Sequence, residues 1–216
     1  MTNLEVYSCT VGKWKTNSYL IVCDKNLILI DPGDDSDKLE FDFKQLQLDN
    51  ANIIIFATHG HFDHVGAVEF FKTKYNCKFG IHSKDKRILG QANLFRKITG
   101  DVTFQLIPKI DLYLDDIEFH LFCDHKIYVH HIPGHSEGSV AFEIEKYLFT
   151  GDLILENELG RVDLPGGDKL KLLSSIRYII NNFIGFTIFP GHGKSFELSQ
   201  EKIDFIKSQL NKWESI

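Results

Sequence analysis

The sequence predicts an α/β fold built as one domain, and three observations carry that reading. Short apolar, β-branched runs such as Ile53-Ile54-Ile55-Phe56-Ala57 read as strands buried on both faces. Segments with apolar residues at helical spacing alternate with them, first Val65, Val68 and Phe71, later Leu172, Leu173, Ile176, Ile179 and Ile180. No linker or low-complexity stretch interrupts residues 1–216, and a hydrophobic content of 43% is enough for a packed core.

In chain order, Leu4 to Val11, Asn17 to Cys23 and Leu27 to Ile30 read as strands joined by short gaps, which favours hairpins. Asp31-Pro32-Gly33 ends the third strand. Proline supplies a fixed φ there and glycine a permissive one. Asp31 either hydrogen-bonds the neighbouring turn and holds the Thr58–His64 loop in place or is a plain turn aspartate. Lys38 to Leu48 is amphipathic, with Leu39, Phe43 and Leu46 on one side. Lys78 to His82 is a short strand, and Ser83 reads as the N-cap of a helix over Lys84 to Leu89. Gly90 to Pro108 has no clear period and is expected as a flap beside the site. Strands return at Ile117 to Phe122, Lys126 to Ile132, Val140 to Ile144, Tyr147 to Thr150 and Phe186 to Phe189. Asp168 caps the helix that carries Leu172 to Ile180. Ile203, Ile206, Leu210 and Trp213 form the stripe of a last helix.

Composition narrows the classes of function. The net charge is −6, with neither the basic balance nor the basic stripe of a nucleic-acid binder. No apolar run reaches the length of a membrane span. Met1-Thr2-Asn3-Leu4-Glu5 lacks the basic-then-apolar order of an export signal, so a cytoplasmic enzyme is expected. Cys9, Cys23, Cys77 and Cys123 form no C-x-x-C pair and are expected as reduced, mostly buried thiols.

The chemistry concentrates in Thr58-His59-Gly60-His61-Phe62-Asp63-His64. Imidazole and carboxylate are the ligands of a borderline metal such as zinc. An H-x-H-x-D-H pattern arises by chance roughly two times in a thousand chains of this composition. The stretch lies on a strand-to-helix turn at the carboxyl end of a buried strand, where open α/β sheets place ligands. His59 and His61, two apart in extended chain, point the same way and can grip one ion. Asp63 and His64 fall where the chain bends and can aim at a second position. His59, His135, Asp152 and His192 all follow apolar strands and all adjoin glycine, which lets backbone come close to a ligand. His82, His120, His125, His130 and His131 lack that setting and read as structural.

The series T-H-x-H-x-D-H, H-I-P-G-H-S-E-G-S, T-G-D and P-G-H-G resembles the metallo-β-lactamase superfamily, in the right order from Asn17 to about Lys194. Leu159 to Asp168 is similar to the G-R-x-D-x-P-G-G-D stretch of small glyoxalase II-like hydrolases. The resemblance implies an αββα sandwich with a metal cleft at one edge. It implies two divalent metal ions, zinc first, with iron and manganese as alternatives. His59, His61 and His135 would hold the first ion and Asp63, His64 and His192 the second, with Asp152 bridging. The chain ends about where the C-terminal helical extension of full-length glyoxalase II would begin, which separates the hydrolytic centre from glutathione recognition.

The implied reaction is hydrolysis of a small-molecule thioester such as a hydroxyacyl-glutathione, by hydroxide held on the metals, with Asp63 and Asp152 as the catalytic carboxylates. Arg161 and Lys194 are candidate contacts to an anionic substrate. Arg96 is another, although a solvated surface position or a salt bridge suits Arg96 and Lys194 better. The alternatives are an iron-dependent persulfide dioxygenase built on His59, His135 and Asp152, another ester or lactone hydrolase, a structural zinc site, and a nuclease. Seven candidate ligands exceed what a closed structural site needs, and the acidic balance opposes a nuclease.

Overall fold

The computed structural model describes residues 3–46, 51–116 and 119–214. Two six-stranded sheets lie face to face. The first runs β1 (Glu5–Val11), β2 (Thr16–Cys23), β3 (Asn26–Ile30), β4 (Asn52–Phe56), β5 (Lys78–Ile81) and β6 (Leu112–Tyr113), in that spatial order. Strands β1 to β3 pair antiparallel through tight turns, and β3 to β6 pair parallel. The second holds β7 (Phe119–Phe122), β8 (His125–His131), β9 (Val140–Ile144), β10 (Tyr147–Gly151), β11 (Thr187–Pro190) and β12 (Phe196–Glu197). Its pairs are antiparallel except β10 with β11. Of the strand expected over Ile117 to Phe122, β7 covers Phe119–Phe122, and Ile117 and Glu118 lie outside the described residues.

Strand periodicity sorts the side chains into layers. Along β2, Tyr19 and Ile21 face the second sheet and join Ile28, Phe56, Phe142 and Phe149 in the central core. Leu20, between them, points the other way. It packs with Leu27, Leu29 and Ile55 against Leu39 and Phe43 of α1 (Ser36–Gln45) and Val68 and Phe71 of α3 (Val68–Tyr75). On the far side, Ala141, Leu148 and Ile188 pack against α6 (Lys169–Asn182) and α7 (Gln200–Glu214). Helix, sheet, sheet and helix therefore form one αββα sandwich, the predicted class. Each fully buried Leu, Ile or Phe in these layers contributes about 1.5–3 kcal/mol. Truncating Phe142 at 0% exposure would cost about 3–5 kcal/mol.

Three local expectations are corrected. The helix expected at Lys84 is a 3-10 turn, Ser83–Asp85, followed by α4 (Lys86–Gly90). Ser83 does not cap it, because its hydroxyl and amide both donate to Asp115. The periodic run after the histidine motif splits into α2 (Phe62–Val65) and α3, because the Ala67 amide donates to Pro32 O at 3.0 Å. Cys23 and Cys123 are not separate thiols. They meet as a disulfide between the two sheets, with Cα atoms 6.5 Å apart, while Cys9 and Cys77 stay free. No helix among the described residues is long and apolar enough to cross a membrane.

Candidate metal centre

The carboxyl end of β4 delivers the histidine motif to the edge of the sandwich. Thr58 closes the gap between the sheets, since its carbonyl accepts from Val140 N of β9 at 2.8 Å. His61 stands at the N-cap of α2 in extended conformation, yet its ring makes no cap hydrogen bond and lies in the site. His135 arrives on the loop after β8, Asp152 after β10 and His192 after β11. The last two of these loops are tied together, Gly191 N donating to Gly151 O at 2.8 Å, and β2 joins them through Asn17 N, which donates to Gly191 O at 2.7 Å. Gly191 is required by close approach: a Cβ there would lie 2.1 Å from Asp152 Oδ1 and 2.6 Å from His64 Cε1.

Seven side chains converge in three overlapping groups, His59/His61/His135, His59/His64/Asp152 and Asp63/His64/His192. Within each group one ligand atom per residue lies within 4.8 Å of the others. Nδ1 of His61 and Nε2 of His135 are 2.8 Å apart. Asp152 stands between the groups, with Oδ1 3.5 Å from His64 Nε2 and Oδ2 3.6 Å from His135 Nε2 and 3.4 Å from His192 Nε2. Asp63 Oδ2 is 3.3 Å from His192 Nε2.

These residues fit divalent cations. Nε2 of His59, His61 and His64 and Oδ1 of Asp152 are buried without a hydrogen-bond partner. A buried polar atom left in that state costs about 1–3 kcal/mol, so a donor set of this size calls for a cation to complete it. Electrostatics agree. Burial holds His59 well below the usual imidazole range and His61 down at about 3, so both rings are neutral donors. Burial opposes ionisation of Asp152, but His64 and His192 outweigh it and hold that carboxyl well below its usual range. For His192, burial is outweighed by Asp152 and Asp63, which lift it to about 10. Protons on such rings compete with cations for the same lone pairs.

A surrounding set of hydrogen bonds aims the rings. Asp31 Oδ1 accepts from Thr58 N at 2.7 Å, and Oδ2 accepts from Thr58 Oγ1 at 2.6 Å and His64 Nδ1 at 2.9 Å. Of the two readings of Asp31, the structure selects the one that holds the motif loop. His135 Nδ1 donates to Arg161 O at 2.9 Å, and Thr16 Oγ1 to Asp63 Oδ2 at 3.0 Å. For His64 and His135 the anchor at Nδ1 fixes the tautomer and leaves Nε2 to the site.

Asp85 was not legible in the sequence. At 0% exposure it accepts from Gly60 N (2.8 Å), Ser136 Oγ (2.7 Å) and Gly138 N (2.7 Å), so one carboxylate clamps the His59–His61 loop to the His135 loop. Its only local signal was an aspartate after a strand, without adjacent glycine.

The other expected contacts divide. Arg161 lines the cavity over the site, with its guanidinium bound at 2.7 Å to both oxygens of Asp163. Lys194 is exposed and does not line that cavity. Arg96 is buried at 2% exposure among Asp34, Asp101, Thr103 and Gln105, in the structural role that suited it better. The five remaining histidines stay out of the groups, His82 stacking on His131 and His130 pairing with Glu143. The expected flap is in part the helix α5 (Ala92–Ile98), whose Phe95 and Ile98 line the cavity with Trp14, Phe62, Leu159 and Leu164. The cavity measures 830 Å³.

An αββα sandwich with clustered imidazole and carboxylate donors on one edge, beneath a cavity, defines a metal-dependent hydrolase. The family model described as the metallo-β-lactamase superfamily matches residues 11–192, and the chain belongs to that superfamily as a metallo-hydrolase. It is 34% identical to the hydroxyacylglutathione hydrolase GloC of Haemophilus influenzae, across 93% of this chain and 95% of that protein. It is 28% identical to the probable metallo-hydrolase YqgX of Bacillus subtilis, across 89% and 92%. Among solved structures, the B3 metallo-β-lactamase BLEG-1 superposes with a TM-score of 0.81 at 30% identity, covering 91% of this chain and 96% of that one. TTHA1623 in a di-iron-bound form gives 0.79 at 30% identity, covering 89% and 94%.

Proposed function

We propose that the chain is a two-metal thioester hydrolase of the hydroxyacyl-glutathione type. His59, His61 and His135 would hold one divalent ion, Asp63, His64 and His192 the other, and Asp152 would bridge them. The observation that carries this reading is the three overlapping donor groups at the floor of an 830 Å³ cavity. The likeness to GloC supports the thioester class. Zinc suits the donors, and the di-iron form of TTHA1623 keeps iron in view.

Bound there, divalent cations supply Lewis acidity and lower the pKa of water to about 7. The protein's own part is placement. Asp31 and Asp85 fix the two ligand loops, so the floor of the cavity needs little rearrangement during reaction. Thr16 holds Asp63 where its carboxylate can orient the attacking water. The apolar walls limit competing water around the carbonyl. In the net reaction a water oxygen bonds the carbonyl carbon and the C–S bond breaks. The products are a carboxylic acid and a thiol, the second proton of water ending on sulfur.

The test is thiol release from S-lactoylglutathione by the zinc-, manganese- or iron-loaded chain, with and without chelator. Chelator-sensitive release is expected. Absence of release from every thioester offered, with metal bound, would contradict the proposal.

A further inference from the structure

The cavity over the centre is walled by Trp14, Phe62, Phe95, Ile98, Leu159 and Leu164. Phe95 and Ile98 stand three residues apart on α5, on one side of that helix. Ile98 is 69% exposed at this wall, an apolar side chain that gains by being covered. Charge on the same walls suits an anionic ligand poorly. Above the donor cluster, Arg161 is bound to Asp163 through two hydrogen bonds of 2.7 Å, Glu158 and Asp163 add negative charge, and Lys15 is the other lysine or arginine in the lining. A glutathione moiety brings two carboxylates to such a surface. A lactoyl group brings a single methyl to these apolar walls.

Building on the thioester reading, we propose that the acyl group this cavity selects is apolar and bulkier than lactoyl, an aryl or medium-length alkyl chain seated against Phe95 and Ile98. Each methylene buried there raises kcat/KM about fourfold if its transfer energy is realised in the transition state. The selection resides in the wall, so it holds whichever thiol leaves.

The experiment uses the metal-loaded full chain and thioesters with acetyl, lactoyl, hexanoyl and phenylacetyl groups. Each is made on N-acetylcysteamine, which is uncharged, and on glutathione. Within each thiol series, kcat/KM is expected to rise by about tenfold or more from lactoyl to hexanoyl and phenylacetyl. I98N, an exposed change whose folding is checked by thermal melt, is expected to shrink that ratio several-fold. A flat series, or lactoyl fastest, would overturn the proposal. If no thioester is cleaved, the hydrolase reading fails, and calorimetric binding of the product acids decides the pocket alone. Hexanoate or phenylacetate binding about tenfold tighter than acetate, which shares their lone carboxylate, supports it, and equal affinities overturn it.

Discussion

Asp85 shows how much of a metal site depends on residues that touch no metal. Its two oxygens take donors from Gly60, Ser136 and Gly138, and all three are buried with it. In Asp85→Asn one of those positions becomes an NH2 group facing another donor. A buried mismatch of this kind costs about 1–3 kcal/mol, and loosened ligand loops typically lose about 10- to 100-fold in metal affinity. We expect both effects, read by urea melts of metal-free protein and by metal titration. Unchanged affinity would remove Asp85 from the account. The clustered donors were legible because His59, His135, Asp152 and His192 each follow an apolar strand beside glycine. Asp85 was not, because its partners are backbone amides and a serine brought near only by folding.

At the scale of elements, periodicity located most strands and the long helices, and it failed where tertiary contacts set the boundary. Gly90 to Pro108 had no readable period because α5 is short and is anchored by Arg96, whose guanidinium reaches Asp34 and Asp101 and lies 5.1 Å from the centre of the Phe62 ring. The same dependence holds α1 against α3. Glu40 of α1 accepts from Lys74 at 2.6 Å and from Tyr75 at 2.5 Å, and hydrogen bonding to Lys74 first, then Tyr75, holds its carboxyl down at about 2. A depressed carboxyl stabilises the fold fully above its unfolded pKa, near 4.5, and loses that contribution as pH falls towards 2. The lysine partners are half exposed to solvent, so the contribution is about 1 kcal/mol. Glu40→Gln is therefore expected to lower stability at pH 7 by that amount, with the gap to the native chain closing from about pH 4.5 downward in denaturant melts. A gap that widens in acid would reverse the assignment.

Across the whole molecule, the two sheets meet at opposite ends in different ways. At the edge that carries the donor cluster, Asp85 ties the loop after β4 to the loop after β8, and Gly191 N bonds Gly151 O to tie the loops after β10 and β11. At the far end, Cys23 and Cys123 join the last residue of β2 to the turn after β7 across 100 residues of chain. A disulfide typically stabilises by about 2–4 kcal/mol, and by more the longer the loop it closes. Reductant is expected to lower the melting temperature of the native chain and to leave a Cys23→Ser/Cys123→Ser variant unmoved. Equal shifts in both would show that the link contributes nothing. Scattered cysteines gave no hint of this pair, since its members are neighbours only once both sheets have formed. The α/β class was legible from strand and helix patterns, whereas the division of strands between two sheets rested on the family resemblance. Titration of the metal-free chain with zinc, manganese or iron(II), scored as ions bound per chain, tests the central claim most directly. Two ions per chain, with Asp152→Ala unable to hold the pair, is the result the geometry requires. A chain that binds none of the three metals, or one ion only, would contradict it.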